Sequence, residues 1–378
     1  MVIVVYLGWA SCTLALCGTC FAALSAIFVG RQRRTTLPAF AYPALTILKP
    51  LHGDEPGLLD NLATFCEQDY PAPIQIVCGV DDATDPAAAA AERLRARFPD
   101  LDIALVADAA RHGANAKVCN LINMLPLARH GVLVLSDSDI GVPSDYLRRV
   151  IDALEQPGVG AVTCLYTGWA AAGFGSRLCA MGIDYQFLPN ALTGMALGLA
   201  EPCFGSTIAL RRAVLDEIGG FEAFAGFLAD DFEIGRAVRA KGYHITVPAM
   251  AVRHACGEES IGEWLAHELR WARTIRIVAP AGHAGSIVTY AIPLALLGAI
   301  LSGFTVFACA VLATTLVARA VLKWRIDRFF DCNGGPLWLL PVRDVLSFGV
   351  FMVSLFGGSV AWKGERLRVE KSGTLLKS

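Results

Sequence analysis

Residues 132–147 read "VLVLSDSDIGVPSDYL": four apolar residues run directly into Ser136, Asp137, Ser138 and Asp139. An unbroken Val/Leu run suits a strand covered on both faces. A simple turn after it needs one Asp or an Asn-Gly pair, not two carboxylates. In extended chain, acids at i and i+2 share one face of a strand, because side chains alternate with period 2. Two negative charges gathered at a strand end are costly unless a cation sits there. The stretch therefore predicts a buried strand whose carboxyl end holds a positive group.

Runs of the same kind recur between about residues 43 and 255: "ALTILKP", "IQIVCGV", "DIALVAD", "VGAVTCLY" and "HITVPAM". Amphipathic segments such as "AAAAERLRARF" and "DFEIGRAVRAKG" lie between several of them. This alternation predicts an α/β domain with a mostly parallel sheet covered by helices, and ligands at the carboxyl ends of its strands. Three acidic sites fall at such ends or at a helix start: Asp81 and Asp82 in "VDDATDP", Asp137 and Asp139, and Asp230 and Asp231 in "LADDFEIG". Each pair alone could fill a turn or cap a helix. Together they suit a sugar nucleotide. One acid accepts from a uracil N–H, the "DSD" holds Mg²⁺ or Mn²⁺ against the diphosphate, and a third carboxylate takes the proton of an acceptor hydroxyl.

The rest of the chain is unlike a soluble protein. Of 378 residues 55% are hydrophobic and only 17% charged, against roughly 25% charged in soluble domains. Residues 2–29 carry no charge, which exceeds the roughly 20 needed to cross a bilayer. "RQRR" (31–34) follows, so the first span is expected to be an uncleaved anchor with its basic end in the cytoplasm. Residues 286–318 are again uncharged, either one tilted helix or a hairpin near Ser302-Gly303. "RAVLKWRIDRFF" (319–330) is expected as an interfacial helix, residues 345–362 as a last short span, and 363–378 as a basic tail. Three spans put that tail in the cytoplasm and four do the reverse; three is preferred. The net charge of −2 and the lack of a long basic run exclude a nucleic-acid binder. The 12 cysteines form no framework, and "CGTC" (17–20) sits within an apolar run, so all are expected as reduced thiols.

"HELRWARTIR" (267–276) sets arginines suited to phosphate, or to a lipid–water interface, beside the membrane. The ordered set "ILKPLHGDE", "VDDATDPA", "AKVCNL", "SDSDI", "FGSTIALRRAVLDEIGGFEAF", "LADDFEIGRAVRAKG", "HELRWARTIR" and "AWKGERLRV" resembles the family 2 and family 21 inverting glycosyltransferases, most closely the ceramide glucosyltransferases. The resemblance implies a cytoplasmic GT-A domain (43–280), Rossmann-like with a mixed, mostly parallel sheet, between N- and C-terminal transmembrane helices. It implies Asp82, Lys117, Asp137, Arg270 and Trp271 as donor-binding residues and Asp137 with Asp139 as metal ligands. Asp231 becomes the catalytic base, and Asp230, His267 and Arg273 donor- or acceptor-side contacts. His267 stands where the Q/R-x-x-R-W motif has Gln or Arg; as a neutral imidazole it would offer less than a guanidinium. "DSD" replaces the eukaryotic "DSG" and favours metal dependence.

Within the family the chain is most similar to the bacterial branch of hopanoid biosynthesis. That likeness implies transfer of N-acetylglucosamine from UDP-GlcNAc to bacteriohopanetetrol at the bacterial inner membrane. Transfer of glucose from UDP-glucose to ceramide is the alternative. A membrane-tethered binding subunit would have lost an acid, yet Asp137, Asp139 and Asp231 are all present. A processive synthase needs more spans.

Overall fold

The computed structural model describes residues 2–31, 39, 41–332, 334–357, 359–362, 365–369 and 374–377. The expected "RQRR" signal lies outside the described residues apart from Arg31, as does much of the expected basic tail. The chain forms two compact units. One comprises residues 34–166, 201–257 and 367–378; the other comprises 1–33, 167–200 and 258–366.

The first unit is a mixed α/β fold. Strands β1 (Leu45–Pro50), β2 (Ile74–Val80), β3 (Asp102–Ala107) and β4 (Val132–Leu135) lie parallel in the order β3-β2-β1-β4. The sheet continues through Ile208–Arg211, antiparallel to β4, then Val159–Thr163 and His244–Thr246. Side chains of β4 alternate between two cores. Val132 and Val134 join Leu45, Ile47 and Tyr146 on one face, while Leu133 and Leu135 join Leu48, Leu121 and Phe221 on the other. Apolar cover on both faces is why "VLVL" carries no polar alternation.

The second unit is helical. Ile3–Phe28 and Val306–Phe330 are long and apolar enough to cross a membrane. The pair Pro280–Thr289 and Ala291–Leu301, bent by 61°, makes a third span if it counts as one. Small residues bring the first helix onto the bent pair: a Cβ at Gly298 would stand 2.5 Å from the Cys12 sulfur, and one at Gly18 only 2.0 Å from the Val288 carbonyl oxygen. The hairpin near Ser302-Gly303 is present. Gly303 and Phe304 take positive φ, and the Thr305 hydroxyl accepts from the Ala308 N–H at 3.4 Å to start the next helix.

Two expectations are corrected here. Residues 319–330 are not a separate interfacial helix; they are the last turns of Val306–Phe330. Arg319 and Lys323 are buried because each has partners. Arg319 reaches Asp344 through two nitrogens at 3.0 Å and the Tyr185 carbonyl at 2.8 Å; Lys323 reaches Asp327 at 2.5 Å and the Tyr185 hydroxyl at 2.8 Å. Paired charge can stay inside, so charge count misplaced the helix end. Residues 345–362 are not one apolar segment either: the helix Leu339–Ser354 has 16 residues and Ser359–Trp362 is a strand.

Breaking the Arg319–Asp344 pair leaves the buried Asp344 carboxylate with Arg343 at 3.8 Å, and loss of one partner of such a pair typically costs about 3–5 kcal/mol. Arg319→Leu should therefore lower the melting temperature in detergent sharply, and Arg319→Leu with Asp344→Leu should recover most of the loss. A double variant no more stable than the single one would show that the pair is not what matters there.

Candidate active site

The sheet carries its chemistry where β1, β2 and β4 end together. Beyond Leu135 the Ser136 N–H still reaches the Leu48 carbonyl at 3.2 Å, but the antiparallel neighbour pairs only as far as Leu135 with Ile208. The chain therefore turns, and the Ile140 N–H donates to the Asp137 carbonyl at 3.3 Å. Asp137 and Asp139 stand in this turn, not in the extended chain that alternation implied. Their partition persists all the same: Ser136 and Ser138 are buried while both carboxylates are partly open.

A cation does sit there, and it is a lysine. The Lys117 ammonium lies 2.5 Å from Asp137 Oδ1 and 3.5 Å from Asp230 Oδ2. Burial opposes its charge, but Asp137 and Asp230 outweigh burial and raise its pKa. Asn115 positions it. This residue caps the helix Ala116–Met124 by accepting from the Val118 N–H at 3.1 Å, and its amide donates to the Phe227 carbonyl at 2.8 Å and Asp230 Oδ1 at 3.2 Å. Lys49 is a second, fully buried ammonium. It donates to the Asp137 carbonyl at 2.5 Å and the Ser136 hydroxyl at 3.4 Å, 4.0 Å over the Phe65 ring. Burial lowers its pKa to about 8, against the pull of Asp139 and Asp137.

Asp231 heads the helix Asp230–Ala240 and holds two backbone amides, Gly205 N–H at 2.9 Å and Phe232 N–H at 2.8 Å. Burial raises its pKa to about 6, assisted by Asp230 and opposed by Lys117. Asp230 does not cap this helix, the use that such a pair alone could have had; it holds Asn115 and Lys117 instead. Ile234 and Val238 face the core, while Phe232 is only half-buried. Three groups converge on Gly205: a Cβ there would lie 3.1 Å from Asp137 Oδ2, 3.2 Å from Lys117 Nζ and 3.5 Å from Asp231 Oδ2.

Asp139 faces the other way. Its carbonyl accepts from the Ala255 N–H at 2.8 Å, and the register of Ile140 with His254 sets the His254 Nδ1 atom 3.5 Å from Asp139 Oδ1. Burial raises the Asp139 pKa while His254 opposes it, and Oδ1 is buried without a hydrogen bond. Carboxylates with an imidazole form a donor set that suits a divalent ion such as Mn²⁺. At the end of β2, Asp82 Oδ1 accepts from the Thr84 N–H at 2.8 Å and its hydroxyl at 2.9 Å, which hold this carboxyl below its ordinary range. Asp81 pairs with Arg111 at 2.7 Å. With β1 between them, β2 and β4 are roughly 10 Å apart. Lys49, Asn115, Gly205 and His254 join the site from outside the set of expected residues. Only Lys49 left a signal, a charge within an apolar strand run.

The helix Ile261–Val278 of the helical unit carries the other expected residues. Ser260 caps it, accepting from the Glu263 N–H at 3.2 Å. His267 hydrogen-bonds Glu258 through Nδ1, with the Trp271 ring edge-on 4.5 Å away. Burial lowers the His267 pKa, but Cys179 and Glu258 outweigh it and raise it to about 9. The neutral imidazole expected here is thus corrected to an imidazolium, because Cys179 and the half-buried Glu258 carboxylate both favour its proton. Arg273 reaches the Phe356 carbonyl at 3.5 Å and Arg276 the Leu355 carbonyl at 2.6 Å, so both satisfy carbonyls just past the helix Leu339–Ser354.

The family model described as "Glycosyl transferase family 21" matches residues 10–375. Among curated proteins the chain is similar to ceramide glucosyltransferase 3 of Caenorhabditis elegans, 23% identical over 232 residues, 61% of this chain and 50% of that one. It is 31% identical to the ceramide glucosyltransferase of Komagataella phaffii over 130 residues, 33% of this chain and 25% of that one. It is 26% identical to the beta-monoglucosyldiacylglycerol synthase of Synechocystis sp. over 200 residues, 51% and 40% of the two chains. The chain thus spans half or less of the length of these three relatives. A solved mannosyltransferase of Pyrobaculum calidifontis, in complex with GDP-Man and Mn²⁺, shares the fold, with TM-score 0.56, 20% identity and coverage of 93% of this chain and 99% of that one.

A pKa raised from 6.5 to about 9 links His267 to stability: the contribution is full below pH 6.5 and is lost as pH rises through about 9. Glu258→Gln should lower the His267 titration midpoint, followed by NMR of ring protons, and flatten the stability profile over that window. A midpoint unchanged in Glu258→Gln would mean that Glu258 does not hold the charge.

Proposed function

Since the chain belongs to glycosyl transferase family 21, we propose that it moves a sugar from a nucleotide donor onto a hydroxyl group of a membrane lipid. The observation that carries this is the convergence of Asp137, Lys117 and Asp231 on Gly205, where an added Cβ would lie 3.1 to 3.5 Å from all three. Lys117 presents an ammonium to the donor diphosphate, and Asp82 accepts from the uracil N–H of a UDP-sugar. Asp137, Asp139 and His254 are the residues that would hold Mg²⁺ or Mn²⁺, and such an ion, when bound, neutralises charge on the departing nucleotide. Asp231 takes the proton of the acceptor hydroxyl as its oxygen bonds to the anomeric carbon and the bond to UDP breaks, with inversion. Asp230 positions Asn115 and Lys117. By the motif they occupy, Arg270 and Trp271 bind the donor, and His267 and Arg273 are donor- or acceptor-side contacts.

The donor is UDP-GlcNAc and the acceptor bacteriohopanetetrol, in a multi-pass protein of the bacterial inner membrane whose site faces the cytoplasm. The sequence resemblance supports that choice. Glucose from UDP-glucose onto ceramide is the second reading, favoured by the names of the two ceramide glucosyltransferase relatives. Purified protein in detergent, offered each donor with each acceptor, separates the two by product mass.

Asp231→Asn should lower kcat by roughly 10²–10⁴ with little change in donor affinity. Asp230→Asn should weaken stability or donor affinity more than turnover. Because the base must be ionised, kcat should rise with pH through about 6 and lose that limb in Asp231→Asn. Near-normal turnover in Asp231→Asn would reject the assignment.

Metal binding has its own readout. Mn²⁺ titrated calorimetrically in the presence of UDP should bind the unmodified protein and bind Asp139→Ala and His254→Ala at least tenfold more weakly. Full turnover in excess chelator would remove the ion from the scheme.

A further inference from the structure

The helical unit contains a cleft of about 700 Å³ between the carboxyl-terminal turns of Val2–Phe28 and the helix Val306–Phe330. Ala23, Ala26, Ala318 and Val321 line it, and Arg31 and Arg325 stand among its walls. Small side chains make the hollow: three alanines meet where these helices elsewhere expose bulk such as Leu24, Val317 and Trp324. The arginines are built in by the fold. Arg325 donates to the Ala26 carbonyl at 3.1 Å and the Val29 carbonyl at 2.8 Å, which fixes its guanidinium over the end of the first helix. Gly30, at φ +85°, then turns the chain beside the Phe329 ring and leaves Arg31 exposed. Among the described residues none of those lining it is acidic.

We propose that this cleft binds an anionic phospholipid, with an acyl chain against the alanines and its phosphate at Arg31 and Arg325. An apolar trough on two helices fit to cross a membrane takes a hydrocarbon chain. Two guanidinium groups where the first helix ends take a phosphate diester, since arginine matches its oxygens with a planar fork of donors. Basic pockets between spanning helices recognise anionic headgroups by the same physics. The volume lies within the range of ligand sites, about 300–1,000 Å³. A zwitterionic lipid would fill the trough equally well but would set its own cation against the arginines.

The test uses the full chain in neutral detergent, mixed with equal amounts of dioleoyl phosphatidylglycerol and phosphatidylcholine and read by native mass spectrometry. Phosphatidylglycerol should be retained over phosphatidylcholine by roughly tenfold or more. Arg31→Gln should cut that preference several-fold, and Ala23→Phe, which fills the trough from an exposed position, should remove the tightly held lipid. Arg325→Gln is avoided because Arg325 also holds the end of the first helix; circular dichroism and gel filtration confirm that the other two variants fold. Equal retention of the two lipids, or a preference unchanged in both variants, overturns the proposal.

Discussion

One ammonium among carboxylates organises the α/β unit. Lys117 stands within ion-pair distance of Asp137 and Asp230, and a Cβ on Gly205 would touch Asp137, Lys117 and Asp231 alike. Without that charge, Asp137 and the adjacent Asp230 and Asp231, three acids from two separated parts of the chain, would repel one another at the end of an inner strand. With it, the loop after β4, the start of the helix Ala116–Met124 and the start of the helix Asp230–Ala240 are drawn together. Asn115 makes the arrangement specific, because one side chain caps one helix and binds Asp230 at the start of the other. Lys49 adds a second positive charge beneath the turn, held by a backbone carbonyl and an aromatic face.

Under the proposed function Lys117 is the group that meets the donor diphosphate, since its positive charge is already desolvated and in place. Asp231 is set apart by its own bonds. Two backbone amides orient its carboxylate, and burial lifts its pKa to about 6, near enough to neutrality for proton abstraction. Asp139, turned toward His254, belongs to the other side of the turn. Two neighbouring acids of one motif thus meet different partners, and that difference separates their chemistry.

The helical unit handles buried charge by the same rule with different residues. Arg319, Lys323 and Arg343 are each paired with a carboxylate inside it. Such pairs seldom add stability over apolar residues of equal size, but they are costly to break. Their consequence is geometric: the pairs tie Val306–Phe330 to Tyr185 and to the helix Leu339–Ser354. An end-of-span charge count therefore misplaces the helix boundary.

From sequence alone came the buried strand ahead of Asp137, the parallel half of the sheet, the first span and, as one of two alternatives, the hairpin at Ser302-Gly303. Each is a local pattern of apolar period, length or glycine, and such patterns act over a few residues. Asp137, Asp230 and Asp231, which the fold brings to one lysine, stood out as paired acids at a strand end and a helix start, though each pair alone could fill a turn or cap a helix. What answers the charge was not legible. Lys117 was visible as part of a motif, yet nothing local places it against Asp137 and Asp230. His254 opposite Asp139, the amide of Gly205 on Asp231 and the imidazolium of His267 depend on strand register and burial. Those are set only when segments tens of residues or more apart come to share one interior, where low polarity turns a neighbouring charge into a decisive one.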